Sequence, residues 1–267
     1  MSHYLMCSPD HFEVVSRLNP WMNPAEPVDR SRAIRQWSAL VDLYERLGHV
    51  VDVVPAAAGL PDMVFAANAG VSIDGRMMTA VMASEERTGE QDHYRKWFDA
   101  AGFDEVHIPR YVNEGEGDFL FTGEVLLAGT GFRTDVRAHH EAQTFFDVET
   151  VTLELIDPRW YHLDTALFVL SPERIVWYPE AFSPASREEI ERRFPDSIRA
   201  TTADALAFGL NSTADGNRVV MPASARELAA RLAADGVEVH TVDLSELLKA
   251  GGSVKCCTLD IRLPRVH

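Results

Sequence analysis

Phe119-Leu120-Phe121-Thr122-Gly123-Glu124-Val125-Leu126-Leu127-Ala128 reads as two short apolar strands joined by a tight turn. A run with helical spacing from near Arg133 to Phe146 follows, and then a third apolar run, Thr150-Val151-Thr152-Leu153. A turn between apolar runs marks a hairpin, and a 3.6-residue period before the next strand marks a crossover helix, so the unit is predicted as strand, strand, helix, strand. The same order recurs on both sides. Upstream stand Met63-Val64-Phe65-Ala66, the turn Asp74-Gly75, Met77-Met78-Thr79-Ala80-Val81, a helix from near Glu85 to before Gly102, and the strand Glu105-Val106-His107-Ile108. Downstream, Ala166-Leu167-Phe168-Val169-Leu170 turns at Ser171-Pro172-Glu173 into Ile175-Val176-Trp177-Tyr178 and a helix starting near Ser186. A last copy has Ala205-Leu206-Ala207-Phe208, the turn Asp215-Gly216, Val219-Val220-Met221 and a helix from Ala223 to Ala234.

The turns at Gly75, Gly123, Pro172 and Gly216 repeat at intervals of roughly 45 to 50 residues, the mark of a repeat architecture rather than a doubly wound sheet. The N-terminal part offers a strand near His3-Tyr4-Leu5-Met6, a helix from about Asp29 to Leu47 and the strand Val50-Val51-Asp52-Val53-Val54, but no hairpin. The run after Cys256 can supply the missing strand, so a fifth unit split between the two ends would close a ring. No Ser/Gly-rich linker or charge block divides the chain, and one α/β domain over residues 1–267 is expected.

Hydrophobic residues at 46% and charged residues at 25% are ordinary globular usage and exclude a disordered or membrane-embedded chain. No apolar stretch approaches the roughly 20 residues that span a bilayer, and Met1-Ser2-His3-Tyr4-Leu5 lacks the pattern of a signal peptide. A cytoplasmic location is expected. A formal net charge of -16 argues against nucleic acid, which demands clustered Lys and Arg, and is compatible with a small cationic substrate. The sequence does not decide the oligomeric state and leaves a homodimer open.

Three cysteines make neither a disulfide framework nor paired CxxC zinc spacing, yet two are adjacent in Gly251-Gly252-Ser253-Val254-Lys255-Cys256-Cys257-Thr258. Packing and reactivity are balanced readings of that pair, since Cys257-Thr258-Leu259-Asp260-Ile261-Arg262-Leu263 alternates like a half-buried strand. Just before or within the first strand of successive units sit Asp62 and Asn68, then Glu114, Glu116 and Asp118, then His162 and Asp164, then Asn211, and finally Cys256. Repeats around an axis would bring these together as one site. A lone His162 is commonly structural, but His162-Leu163-Asp164 can point both polar side chains to one face. The vicinal His139-His140 reads as helix surface, because neighbours on a helix diverge.

As an ordered set, Pro61-Asp62-Met63-Val64-Phe65 with Asn68, Glu116-Gly117-Asp118 running to Phe121-Thr122-Gly123, Arg133-Thr134-Asp135-Val136-Arg137, His162-Leu163-Asp164, and Gly251-Gly252 before Cys256-Cys257-Thr258 resemble the guanidine-modifying superfamily. That superfamily includes arginine deiminase, dimethylarginine dimethylaminohydrolase, arginine dihydrolase and the amidinotransferases. The resemblance covers essentially the full chain and implies a pseudo-fivefold α/β propeller (pentein) of ββαβ repeats. It implies Cys256 as nucleophile, His162 as acid/base and Glu116 as the carboxylate beside them, although Glu114 stands four residues before Asp118 and Glu116 only two. Asp62, Asp118 and Asp164 would face a guanidinium, and Arg137 with Arg133 or Arg87 would take an α-carboxylate. No metal or organic cofactor is implied. Asn68 where relatives usually carry Asp, with Asn19 in Asn19-Pro20-Trp21-Met22-Asn23 and Asn211 in Leu210-Asn211-Ser212-Thr213, resembles arginine dihydrolase most. The expected activity is therefore hydrolysis of arginine to ornithine, ammonia and carbon dioxide through a thiouronium intermediate. Dimethylarginine hydrolysis to citrulline and dimethylamine is the alternative, followed by amidino transfer and by non-catalytic arginine binding.

Overall fold

Each hairpin-and-crossover unit closes a sheet of its own. The computed structural model describes residues 1–264, and among them five three-stranded sheets are present. In the N-terminal unit β1 (His3–Cys7) runs through α1 (Arg30–Arg46) into β2 (Val50–Val54), its parallel partner. The next comprises β3 (Gly70–Ile73), β4 (Arg76–Thr79), α2 (Glu90–Ala100) and β5 (Glu105–His107). It is followed by β6 (Phe119–Phe121), β7 (Leu126–Thr130), α3 (Val136–Phe146) and β8 (Thr150–Glu154). Then come β9 (Leu167–Ser171), β10 (Arg174–Trp177), α4 (Pro184–Arg193) and β11 (Ile198–Arg199). The last full unit is preceded by α5 (Thr202–Leu206) and comprises β12 (Thr213–Asp215), β13 (Arg218–Pro222), α6 (Arg226–Ala234) and β14 (Glu238–Val242). In each of these four the hairpin strands pair antiparallel and the strand after the crossover helix pairs parallel to the central one.

The split unit forms as expected. β15 (Leu259–Asp260) pairs antiparallel with β1, Leu5 opposite Leu259 and Tyr4 opposite Asp260, and completes the sheet β15-β1-β2. Local chemistry sets the boundaries. Asp74 and Gly75 both take positive φ, 45° and 79°, as a tight hairpin turn requires. Asp29, Asp135 and Ser183 cap α1, α3 and α4 by accepting from backbone N–H groups. Apolar helix faces supply the core: Tyr94 and Phe98 of α2 join Leu5, Met77 and Leu259, while Ala138, Ala142 and Phe146 of α3 join Phe119, Leu126 and Ala128. Burying side chains as large as Leu, Met or Phe is worth about 1.5–3 kcal/mol each.

Two predicted strands are absent. Met63–Ala66 lies in a pair of 3-10 turns, Pro61–Val64 and Ala66–Ala69, and the first strand of that unit begins only at Gly70. Ala205–Phe208 belongs to α5 and the turn after it, because Thr201 and Asp204 make a capping box that starts a helix. The strand expected to run on from Cys257 is confined to Leu259–Asp260. No helix among the described residues is long and apolar enough to cross a membrane.

Candidate active site

Short turns, not strands, place the polar residues that precede each first strand. The 3-10 turns Ala66–Ala69 before β3, Gly115–Gly117 before β6 and Leu163–Thr165 before β9 touch one another in series. Asn211 precedes β12, Cys256 precedes β15, and the Cys256 carbonyl accepts from Ala67 N at 3.0 Å. Glycine makes the approach possible. A Cβ at Gly115, where φ is 53°, would lie 2.6 Å from the Gly70 backbone, and one at Gly117 would lie 2.4 Å from Asn68 Nδ2 and 3.1 Å from His162 Nδ1.

Cys256 is buried; its thiol donates to Asp164 Oδ2 at 3.2 Å, and Asn211 Nδ2 donates to Sγ at 3.1 Å. Burial pushes the thiol well above its ordinary pKa, and the charge and hydrogen bond of Asp164 push the same way, against an opposing contribution from the Ser253 backbone. Burial likewise raises the Asp164 carboxyl to about 6, although His162 and the thiol work to lower it.

His162 Nε2 lies 2.6 Å from Glu114 Oε2, and Arg133 Nη1 donates to both Glu114 oxygens at 3.1 Å. Burial opposes charge on Glu114, but the hydrogen bond and charge of His162, with Arg133 and Arg87, hold its carboxyl well below the usual range. An ionised Glu114 can only accept, so Nε2 carries the proton and Nδ1 is left without a partner among the described residues. A small pocket beside the thiol is lined by Asp62, Asn68, Arg87, Arg133, Tyr161 and Cys256, with Leu18, Asn19, Met22, Phe65 and Ala250. Asp62 Oδ1 and Asp164 Oδ1 are buried acceptors with no donor among the described residues. A larger cavity, bordered by Glu116, Phe121, Pro172, Lys255 and Arg262, contains neither Cys256 nor His162.

The structure thus gathers Cys256, His162, Asp62, Asn68, Asp164, Arg87, Arg133 and Asn19; it turns Glu116 and Arg137 away from them and commits both oxygens of Asp118 to other partners. Glu116 is not beside His162. Its carboxylate accepts from Lys255 Nζ at 2.6 Å, Arg262 Nη1 at 2.6 Å and Asp260 N at 2.9 Å, because residues two apart on a 3-10 turn are rotated by roughly 120° and face different surroundings. Asp118, buried beside the His162 turn, spends Oδ1 on Leu163 N at 3.0 Å and Oδ2 on Thr134 Oγ1 at 2.6 Å. Arg137 lies on the surface, paired with Asp135 at 2.5 Å and stacked over Tyr111, because the Asp135 cap turns it outward. Arg87 is present but engaged: it donates to both Glu90 oxygens, to Asp62 O and, at 2.9 Å, to Asn68 Oδ1. Asn19 Nδ2 donates to Ala250 O at 3.0 Å and ties its loop to the pocket rim. Glu90 was not anticipated, although a carboxylate in step with Tyr94 and Phe98 on the buried face of α2 is a readable signal.

The chain matches the family model of eukaryotic N,N dimethylarginine dimethylhydrolase over residues 16–263. It is 50% identical over 258 residues to the N(G),N(G)-dimethylarginine dimethylaminohydrolase of Mycobacterium tuberculosis, covering 97% of this chain and 85% of the relative. It is 38% identical over 272 residues to the bifunctional arginine dihydrolase/ornithine cyclodeaminase ArgZ of Synechocystis, covering 98% of this chain but only 38% of that protein. The N-terminal domain of ArgZ, as a cysteine-to-serine mutant bound to substrate, superposes with a TM-score of 0.94 at 37% identity over 99% of each chain. Dimethylarginine dimethylaminohydrolase from Pseudomonas aeruginosa, at 20% identity and a TM-score of 0.81 over 97% of this chain and 99% of that one, shares the mixed α/β fold. With the family model spanning nearly the whole sequence, the chain belongs to the dimethylarginine dimethylaminohydrolase family of the guanidine-modifying superfamily, and its chemistry is hydrolysis of guanidino C–N bonds.

Proposed function

We propose that the enzyme hydrolyses an N-methylated arginine, releasing dimethylamine and citrulline from dimethylarginine through a covalent bond to Cys256. The observation that carries this reading is the pair of donorless buried oxygens, Asp62 Oδ1 and Asp164 Oδ1, around a thiol. A buried acceptor without a donor costs free energy until a ligand supplies one, and a guanidinium supplies planar N–H donors together with positive charge. Asn68 adds one neutral acceptor at most, since one lone pair of its oxygen is taken by Arg87. Dimethylation removes two of arginine's five N–H donors and adds apolar surface, which suits a pocket with few open acceptors and with Leu18, Met22, Phe65 and Ala250 in its wall.

In this mechanism the bound cation offsets the charge of Asp164 and lowers the cost of ionising Cys256. The thiolate attacks the guanidinium carbon and a C–S bond forms. The proton that Cys256 loses passes to His162, and the C–N bond to dimethylamine breaks as His162, held by Glu114, gives that proton to the leaving nitrogen. Water then loses a proton to His162 and attacks the same carbon, the C–S bond breaks, and citrulline leaves. Arg87 and Arg133 take the substrate's α-carboxylate. The five units surround a pseudo-fivefold axis as one catalytic domain, a reading supported by contacts of β15 with β3, β6 with β9 and β9 with β12.

Arginine dihydrolase, placed first from the sequence, becomes the second reading. It is favoured by Asn68 and by the likeness to ArgZ, while identity of 50% along almost the whole chain supports the dimethylarginine reading. Incubation with dimethylarginine and with arginine, followed by separation of citrulline, dimethylamine, ornithine and ammonia, decides. Citrulline and dimethylamine from dimethylarginine are expected; rapid release of ornithine from arginine with dimethylarginine untouched would reverse the order.

A further inference from the structure

Asn211 sits in the turn before β12, far from Cys256 in sequence, and two of its four side-chain hydrogen bonds are to the nucleophile. Its Oδ1 accepts from Ser253 N and from Cys256 N, both at 3.1 Å. These two backbone donors fix the amide: oxygen must face them, so Nδ2 faces the other way. One Nδ2 proton goes to Asp164 O at 3.1 Å and the other to Cys256 Sγ at 3.1 Å. The side chain is fully buried, with every donor and acceptor used.

The groups around the sulfur otherwise disfavour its ionisation. Asp164 faces it at 3.2 Å, the buried Tyr161 and Cys257 bring no positive charge, Asp62 lies in the same pocket, and Arg87 and Arg133 are already engaged by Glu90 and Glu114. Asn211 is the donor aimed at Sγ among the described residues. Substitution can remove it.

We propose that Asn211 is a catalytic residue whose amide N–H stabilises the Cys256 thiolate before attack and again when the C–S bond breaks. The role resembles that of an oxyanion-hole donor, with sulfur as the anion: a preorganised N–H costs no reorganisation when charge develops on the atom it faces. This rests on Cys256 being the nucleophile, as proposed above.

Asn211→Asp is the informative variant, because it is isosteric and keeps an oxygen for the Ser253 and Cys256 N–H groups while replacing the donor at sulfur. Turnover of dimethylarginine and the pH dependence of Cys256 alkylation by iodoacetamide, with the adduct located by peptide mass spectrometry, are measured on wild type, Asn211→Asp and Asn211→Ala. The expected result is a kcat lower by about 100-fold with KM little changed. The alkylation midpoint should rise by about one pH unit or more in both variants. A lower kcat with an unchanged midpoint would reduce Asn211 to a positioning residue and overturn the proposal, as would an unchanged kcat. Any variant that keeps the wild-type circular dichroism is scored; unfolding of both would make the residue structural and equally sink the idea. Cys256→Ser, run alongside, tests the underlying reading separately. Turnover by Cys256→Ser would remove the nucleophile assignment itself, whereas an inactive Cys256→Ser with an unshifted Asn211→Asp titration would remove only the role of Asn211.

Discussion

Glu114 and Glu116 stand two residues apart on one turn and serve different sides of it. Glu114 holds His162 and Arg133; Glu116 is enclosed by Lys255 and Arg262, one of them the immediate neighbour of Cys256. Neutralising each should give different failures. Glu114→Gln is expected to lower kcat by about 100-fold, since His162 loses the anion that fixes its tautomer. Glu116→Gln leaves the buried Lys255 and the half-buried Arg262 with only Asp260 as counter-charge, and should cost roughly 3 kcal/mol of stability in a denaturant titration while the folded fraction keeps most of its turnover. Equal kinetic loss from both changes would undo the distinction. The sequence could not make it, because two glutamates at spacings of two and four before Asp118 fit the family pattern equally badly, and only the turn geometry sorts them. The order of the two cysteines is easier to read. Cys256→Ser should abolish turnover with the fold intact, and Cys257→Ser should cost far less, because Cys257 packs in the apolar cluster with Val254 and Leu247 and makes no polar contact with the pocket.

At the scale of elements, the fold was legible wherever a strand is both apolar and bounded by a turn. Phe119–Phe121 and the strand from Leu167 to Ser171 emerge as read, and so does the closing of the first sheet by the C-terminal run. Met63–Ala66 misled because its residues are apolar for another reason: they pack beneath the Cys256 turn as 3-10 backbone, while the pairing strand starts at Gly70. The capping box of Thr201 and Asp204 was present in the sequence and outweighs the apolar run that follows it. Helix α2 joins packing to the site. Glu90, Tyr94 and Phe98 share its buried face, and Glu90 holds Arg87 there, whose remaining donors reach Asp62 O and Asn68 Oδ1. Glu90→Gln should therefore lower stability by about 3 kcal/mol or more. It should also raise KM more than it lowers kcat, as Arg87 loses its fixed orientation toward the pocket. A variant with wild-type KM would show that Arg87 needs no such support.

For the whole molecule, the arrangement that binds a cation is one that the empty protein tolerates poorly. Burial raises the Asp164 carboxyl from an ordinary 3.8 to about 6, and Asp62 moves in the same direction for the same reason. A carboxyl raised by folding contributes stability that is complete below its unfolded value and is lost as pH rises through the folded one. For Asp164 that loss falls between about pH 4 and 6 and amounts to ~3 kcal/mol at neutral pH. Asp260 has the opposite sign. Burial opposes its charge, but Lys255 and Arg262 hold its carboxyl at about 2, so its contribution is present above about pH 4 and disappears as pH falls through 2. Mild acidification of the empty enzyme from pH 7 to 5 should accordingly raise its denaturation midpoint while activity declines, because a protonated Asp164 no longer attracts a guanidinium. Asp164→Asn makes the same point without changing pH: it should be inactive, more stable than wild type at pH 7, and less dependent on pH between 4 and 6 than wild type, with the buried Asp62 still contributing in the same direction. Adding dimethylarginine to the Cys256→Ser enzyme should stabilise it strongly at pH 7 and weakly below pH 6, since the substrate's charge then has less to offset. An Asp164→Asn protein less stable than wild type at pH 7 would mean that this carboxylate is held by the fold rather than reserved for the substrate.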